Sequence, residues 1–105
     1  MYYSAFIEMK NNNEVKNWLN FGNKEEVIEK VSAPFSAKDE FEFNGETIKK
    51  ADIKKLLIVE TAIKQLGNYE LVERFIRETQ TYGEKFVNEK YPGFFVKDVT
   101  NEFIK

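Results

Sequence analysis

Polar and apolar residues alternate through the first segment of the chain. One face carries Tyr3, Ala5, Ile7 and Met9, and the other carries Ser4, Glu8 and Lys10. This period of two predicts a half-buried β-strand over residues 2–10. Because Tyr2 and Phe6 interrupt the polar face, we expect that face to be partly covered as well.

A short apolar group follows, whose spacing fits a strand and a helical turn equally well: Trp18, Leu19 and Phe21. Asn23 then has the properties of a helix N-cap, and Glu26 stands at the capping-box position three residues later. With the apolar residues that come next, these signals predict a short helix over residues 24–32. We expect Pro34 to end it, because proline disfavours helical geometry at the residue before it.

Asn44 and Gly45 separate two short segments in the middle of the chain. Asn-Gly favours a type I′ turn because both central residues of that turn need positive φ. The sequence therefore predicts a hairpin with Phe41 opposite Ile48, and we expect the rest of the chain to cover this hairpin. The run over residues 56–59 is apolar throughout and predicts a central strand covered on both faces.

The second half of the chain changes to a helical period. Between residues 69 and 90 the apolar residues recur at steps of three and four: Leu71, Val72, Phe75, Ile76, Tyr82, Phe86 and Val87. This pattern predicts one long helix lying on the sheet. Its outer face has the spacing of two ion pairs, Glu73 with Arg77 and Arg74 with Glu78. Gly83 lies inside the helix, where a glycine marks a kink or a close packing contact.

These elements predict an α+β fold with a small mixed or antiparallel sheet of about four strands. One long helix packs on the sheet and a short helix lies at its edge. A chain of 105 residues is the size of one domain, so we assign residues 1–105 to a single domain. A sheet this small leaves a strand edge available, and self-association is therefore one expectation.

Composition removes several kinds of chemistry. The chain has no cysteine and no histidine, which excludes disulfides, thiolate nucleophiles and the commonest general base and metal ligand. We expect no enzymatic activity, no cofactor and no metal site. No apolar run approaches the about 20 residues of a membrane helix, and the N-terminus lacks the pattern of a signal peptide. These features predict a cytoplasmic protein without a membrane partner.

One carboxylate arrangement resembles a metal-dependent nuclease. Two acids and a lysine occur in this order along the chain: Asp52, Glu60 and Lys64. A catalytic Glu-x-Lys on a strand needs its lysine two residues after the glutamate, where this chain has Ala62. We therefore interpret these residues as surface positions, with Asp52 as a turn residue.

Two groups of residues are candidates for binding a partner. Arg74 and Arg77 are the only arginines and lie one helical turn apart, so they could clamp a phosphate or a carboxylate. Pairing with their own glutamates is the alternative. Tyr91, Phe94 and Phe95 form an aromatic cluster after the long helix, which fits either a partner contact or part of the core.

A set of lysines gives a third possible interface near the hairpin: Lys49, Lys50, Lys54, Lys55 and Lys64. Together with the two arginines they would suit a domain that senses a nucleotide or a nucleic acid. The alternative is that they protect a sheet edge from aggregation. The net charge of −2 gives the whole molecule no attraction to nucleic acid, so nucleic acid is not the favoured partner.

Three stretches of the sequence carry a resemblance to a known kind of domain. They are Ala33-Pro34-Phe35, residues 41–61 with Phe41-Glu42-Phe43-Asn44-Gly45, Ile48 and Asp52-Ile53, and the closing Asp98-Val99-Thr100-Asn101-Glu102-Phe103-Ile104. They are similar to a small N-terminal module of bacterial abortive-infection and antiphage proteins of the AbiJ-like and TIR-like kind. The long helix is not part of the resemblance.

The resemblance implies an association or sensing module that precedes an effector domain. We therefore expect a non-enzymatic protein-interaction module of phage–bacterium conflict, which binds a protein partner or itself. It would be the association domain of an antiphage system, or a free-standing phage-encoded inhibitor that binds a host protein. A nucleotide or nucleic-acid sensing domain is the alternative.

Overall fold

The centre of the fold is an antiparallel pair formed by the first strand and a strand from the middle of the chain. The computed structural model describes residues 1–11, 13–62, 64, 68–90 and 96–104. Within them β1 (Tyr2–Met9) pairs with β2 (Val15–Phe21) on one side and with β5 (Ile53–Thr61) on the other. β6 (Val96–Asp98) pairs with the far edge of β5. The predicted α+β fold is confirmed, with four antiparallel strands in the order β2-β1-β5-β6.

The predicted hairpin is present as a separate two-stranded sheet. β3 (Glu40–Phe43) and β4 (Glu46–Lys49) pair in the predicted register, and the turn residues Asn44 and Gly45 have φ of 48° and 84°. The prediction that the chain covers this hairpin is wrong, because the hairpin is itself part of the cover of the larger sheet. Its alternating strands have one apolar face, whereas β5 is apolar on both faces and takes the central position.

Side chains at the hairpin turn fasten it to the edge strand β2. Asn44 Nδ2 donates a hydrogen bond of 3.1 Å to the Asn17 carbonyl oxygen. Lys16 forms ion pairs with Glu46 of the hairpin and, at 3.1 Å, with Glu14. Since Asn44 occupies a backbone acceptor of β2, the hairpin also covers part of that exposed edge.

The short helix begins as predicted and continues further than predicted. α1 (Lys24–Val27) starts at Asn23, whose Oδ1 accepts a hydrogen bond of 2.9 Å from the Glu26 N–H. A π-helical turn (Ile28–Ser32) and α2 (Ala33–Ala37) follow without a break.

Pro34 lies inside this helical segment, so the prediction that it ends the helix is wrong. A proline within a helix lacks one donor, and its ring crowds the carbonyl four residues earlier. The preceding turn is wider, with the Ala33 N–H bonded to the Ile28 carbonyl oxygen five residues back. The wider turn gives the ring room and lets the helix continue.

The long helix is divided in two at the predicted glycine. α3 (Tyr69–Tyr82) and α4 (Glu84–Lys90) are separated by Gly83, which has φ of 91°. A side chain at Gly83 would meet nothing within 4 Å, so the glycine serves the backbone kink and not a close contact. None of the helices in the described ranges is long and apolar enough to span a bilayer.

Both faces of the four-stranded sheet are buried. One face packs with the helical segment 24–37, the hairpin and α5 (Thr100–Phe103), and its buried residues include Ala5, Ile7, Val27, Phe41, Phe43 and Ile58. The other face packs with α3 and α4, and its buried residues are Phe6, Leu57, Val59, Val72, Phe75, Val87 and Val96. Neighbouring residues of β1 and β5 alternate between these clusters, as expected for central strands.

Candidate functional site

The outer surface of α3 is determined by the way its inner side is buried. Val72 and Phe75 are 1% and 7% exposed and pack on the sheet. Asn68 caps the N-terminus of the helix, where its Oδ1 accepts a hydrogen bond of 3.0 Å from the Leu71 N–H. With one side buried and the first turn capped, the charged side of the helix faces away from the sheet.

The two arginines predicted to bind a partner lie together on this outer surface. Arg74 and Arg77 line one open depression of about 330 Å³, with Asn68, Glu70 and Leu71 as the other lining residues. Residues three apart on a helix are neighbours on its surface, so one ligand could contact both guanidinium groups. The structure brings the predicted pair to one site, while its role in binding stays a prediction.

Leu71 adds an exposed apolar side chain that the sequence pattern does not predict. It is 41% exposed, whereas the sequence pattern predicts a buried position. Consecutive helix residues point about 100° apart, so Leu71 and Val72 cannot both lie at the centre of the buried stripe. Tyr82 and Phe86 are likewise exposed, at 60% and 43%, with their ring centroids 4.9 Å apart. In the sequence, the adjacency of Leu71 and Val72 is the signal that one of these two side chains is exposed.

The charges around the arginines are unevenly paired. Arg74 Nε lies 3.9 Å from Glu78 Oε1, so this predicted ion pair is confirmed. The same oxygen lies 3.6 Å from Lys90 Nζ, which joins α3 to α4 across the kink. The predicted pair of Glu73 with Arg77 is absent, and Arg77 has no ion-pair partner within the described ranges. Because the Arg74 side chain is 62% exposed and the contact is long, the pair does little to fix the guanidinium group in one geometry.

The side chain of Tyr69 explains why Glu73 lies in a different environment from Arg77. This tyrosine is the first residue of α3, and its ring centroid lies 5.3 Å from that of Phe6 in the sheet. Burial raises the pKa of Tyr69, and the negative charges of Glu73 and Glu8 raise it further. The half-buried Glu73 therefore acts on the Tyr69 side of the helix, whereas Arg77 is exposed on the outer face.

The residues of the nuclease-like arrangement do not converge. Asp52 lies at the end of the 3-10 turn before β5, and Glu60 lies near the other end of that strand. At about 3.4 Å per residue, the strand separates them by more than about 20 Å. Glu60 instead accepts a hydrogen bond of 2.8 Å from the Tyr3 hydroxyl. Burial and this interaction raise the pKa of Tyr3 to about 12.

Lys49 of the hairpin and the two arginines lie on opposite sides of the sheet. β4 carries Lys49 and packs with the cluster on one face, while α3 packs with the cluster on the other. Lys50 lies 4.6 Å from the ring centroid of Phe35, and Lys54 Nζ lies 3.5 Å from Glu8 Oε1. The hairpin and α3 therefore do not combine into one basic surface.

The aromatic cluster Tyr91, Phe94 and Phe95 lies outside the described residues, so its predicted role stays a prediction. Comparison with protein-family models, curated protein sequences and solved structures finds no match for this chain. The resemblance to antiphage modules is therefore likewise still a prediction. The predicted arginines lie on the outer face of α3 around Leu71, Arg74 and Arg77, which we call the α3 face.

Proposed function

We propose that this chain is a non-enzymatic protein-interaction module and that the α3 face is its contact surface. The observation that carries the proposal is the shared depression lined by Leu71, Arg74 and Arg77. It combines an exposed aliphatic side chain with two arginines, and arginine is enriched among the residues that dominate protein interfaces. Capping at Asn68 and burial of Val72 hold the backbone beneath it.

The biological setting that we propose rests on the resemblance alone. Residues 41–61 and the C-terminal segment resemble the association modules of antiphage proteins, and this implies a role in phage–bacterium conflict. The chain would act there as an association domain of a defence system or as a phage-encoded inhibitor of a host protein. Its α3 face lies outside the resembling stretches, so a partner specific to this chain is compatible with both roles.

Electrostatics favour a protein partner over a nucleic acid. Nucleic-acid binding needs a basic surface that neutralises several phosphates. Here Glu70 lines the depression together with the arginines, and the hairpin carrying Lys49 packs on the other face of the sheet. The net charge of −2 adds no long-range attraction. A mixed acidic and basic surface suits a partner that carries charges of both signs.

Affinity capture with matched variants tests this proposal. The immobilised full chain is exposed to lysates of infected and uninfected bacteria, and the retained proteins are identified and quantified by mass spectrometry. The Arg74→Ala/Arg77→Ala variant removes two charges from the α3 face. The Lys49→Ala/Lys55→Ala variant removes the same charge from exposed sites elsewhere and is the control.

We expect a specific partner, or a second copy of the chain, to be retained by the wild type and by the lysine control. Its retention should fall about tenfold or more in the arginine variant. Equal binding by all three chains would refute the assignment of the α3 face. Nucleotide or nucleic-acid hydrolysis that is lost on substitution of Asp52 or Glu60 would refute the non-enzymatic role.

A further inference from the structure

Four charged residues in the first half of α3 form a pattern that is complementary to itself. Glu70, Glu73, Arg74 and Arg77 stand at positions i, i+3, i+4 and i+7. At 3.6 residues per turn these positions make one continuous stripe two turns long. Glu70, Arg74 and Arg77 are exposed and Glu73 is half-buried, and the stripe lies away from the buried side of the helix. Its N-terminal half is acidic and its C-terminal half is basic.

We infer that the α3 face binds a second copy of this chain through an antiparallel pairing of the two α3 helices. This inference rests on the proposed function and specifies the partner at the same surface. A two-fold axis between residues 73 and 74 sets Glu70 opposite the second copy's Arg77. The same axis sets Glu73 opposite the second copy's Arg74. By symmetry each kind of contact occurs twice, as in an isologous interface.

The alternative parallel arrangement is disfavoured by the same charges. It would set each residue of the stripe opposite its own copy, so glutamates would face glutamates and arginines would face arginines. Like charges in direct opposition are repulsive, whereas the antiparallel arrangement pairs every charge of the stripe with its opposite. The pattern therefore selects one orientation of the second copy.

The two charges at the ends of the stripe, Glu70 and Arg77, are uncommitted within the described part of one chain. Glu70 and Arg77 form no ion pair with a described residue, and the pair of Arg74 with Glu78 is long, at 3.9 Å. Leu71 lies beside the stripe and is 41% exposed, so it supplies apolar area at the border of the contact. Exposed ion pairs are individually weak and are screened by salt. The association is accordingly reversible and sensitive to ionic strength.

Reversing single charges of the stripe should weaken the pairing, and combining the reversals should restore it. In the variants Arg77→Glu and Glu70→Arg, each homodimer would hold two like-charge contacts in place of two ion pairs. Mixing the two variants restores opposite charges at both places, and so does the double swap Glu70→Arg/Arg77→Glu within one chain. Lys55→Glu makes the same change of charge as Arg77→Glu at an exposed position of β5. Sedimentation equilibrium of the full chains measures the dissociation constants.

We expect the wild type, the Lys55→Glu control and the double swap to self-associate with similar constants in low salt. Raising the salt from about 20 mM to about 500 mM should weaken this association about tenfold or more. Each single variant should lose self-association by a similar factor, and their mixture should regain it as a heterodimer. Thermal melting checks that every variant is folded.

Two outcomes would overturn the inference. One is a wild type that stays monomeric at millimolar concentration in low salt. The other is a self-association that the single reversals leave unchanged, or that neither the mixture nor the double swap restores. If the chain is monomeric but Arg77→Glu still abolishes capture of another protein, the proposed function stands and the self-pairing is refuted. If capture also survives the reversal, the α3 face is refuted as a contact surface.

Discussion

The hydroxyl of Thr100 completes the hydrogen bonding of the central strand β5, and its removal should lower the stability of the fold. β6 ends at Asp98, one residue short of a partner for Ile58. The Ile58 N–H donates a hydrogen bond of 2.9 Å to Thr100 Oγ1, and the Ile58 carbonyl oxygen accepts one of 2.9 Å from the Val99 N–H. Ile58 is fully buried, so its N–H needs a partner within the fold.

The Thr100→Val substitution keeps the shape of this side chain and removes its acceptor. An unpaired buried N–H costs about 1–3 kcal/mol, so we expect the free energy of unfolding to fall by that amount. In a domain of this size the melting temperature drops about 4–8 °C for each kcal/mol. Urea unfolding followed by circular dichroism gives the free energy, with a slope of about 1–3 kcal/mol per molar.

Thr100→Ser is the matched control because it keeps the oxygen and removes only a methyl group. Its cost should stay at or below about 0.8 kcal/mol. If the valine variant were as stable as the wild type, or no less stable than the serine variant, the hydroxyl would not support β5. The short β6 strand would then be held by its own pairing with β5 and by apolar packing.

Three further substitutions, two of them with a matched control, test the backbone and one ionisable group. Gly83→Ala should destabilise the fold by about 1–3 kcal/mol, because φ is 91° there, while Gly22→Ala, with open space and no positive φ, should be neutral or stabilising in the same urea assay. Asn44→Ala should lower the free energy of unfolding by about 1–2 kcal/mol, because alanine loses the hydrogen bond to β2 and tolerates φ of 48° less well than asparagine. Asn44→Gly should recover the part of this loss that is due to the turn geometry. The pKa of Tyr3 is raised to about 12 in the folded state, so the unfolded chain releases this proton first and stability should fall between pH 10 and 12. Tyr3→Phe should flatten that part of the stability curve, and equal slopes in the two chains would contradict the assignment.

Signals that act within a few residues predicted the structure well. Asn23 caps α1, and Asn44 with Gly45 forms the predicted turn, because in both places the chemistry lies within the segment itself. β2 could not be assigned from its own residues. It pairs with β1, and its Asn20, with φ of 63°, is accommodated by a bond of 3.0 Å from its N–H to Ser4 Oγ. That contact depends on tertiary structure.

The predictions that failed needed information from outside the segment. Pro34 follows a wide turn that a local rule does not anticipate, and the strong turn signal of the hairpin says nothing about its place in the fold. The apolar run 56–59 was the better guide, since a strand that is apolar on both faces must be covered on both. For the site, helical spacing brought Arg74 and Arg77 together but also suggested a pairing with Glu73 that Arg77 does not form.

The inner side of α3 is specified by burial and the outer side by charge, and the proposed binding role depends on this division. Burial of Val72 and Phe75 fixes its position, and the contacts of Glu78 with Arg74 and Lys90 link it to α4. A surface that is already ordered loses little conformational entropy when a partner arrives, so weak charged contacts can still give measurable binding. The i to i+7 relation of Glu70 and Arg77 has no role within one helix, because these residues do not meet there. In the antiparallel dimer that we propose, the same relation sets each Glu70 opposite Arg77 of the second copy.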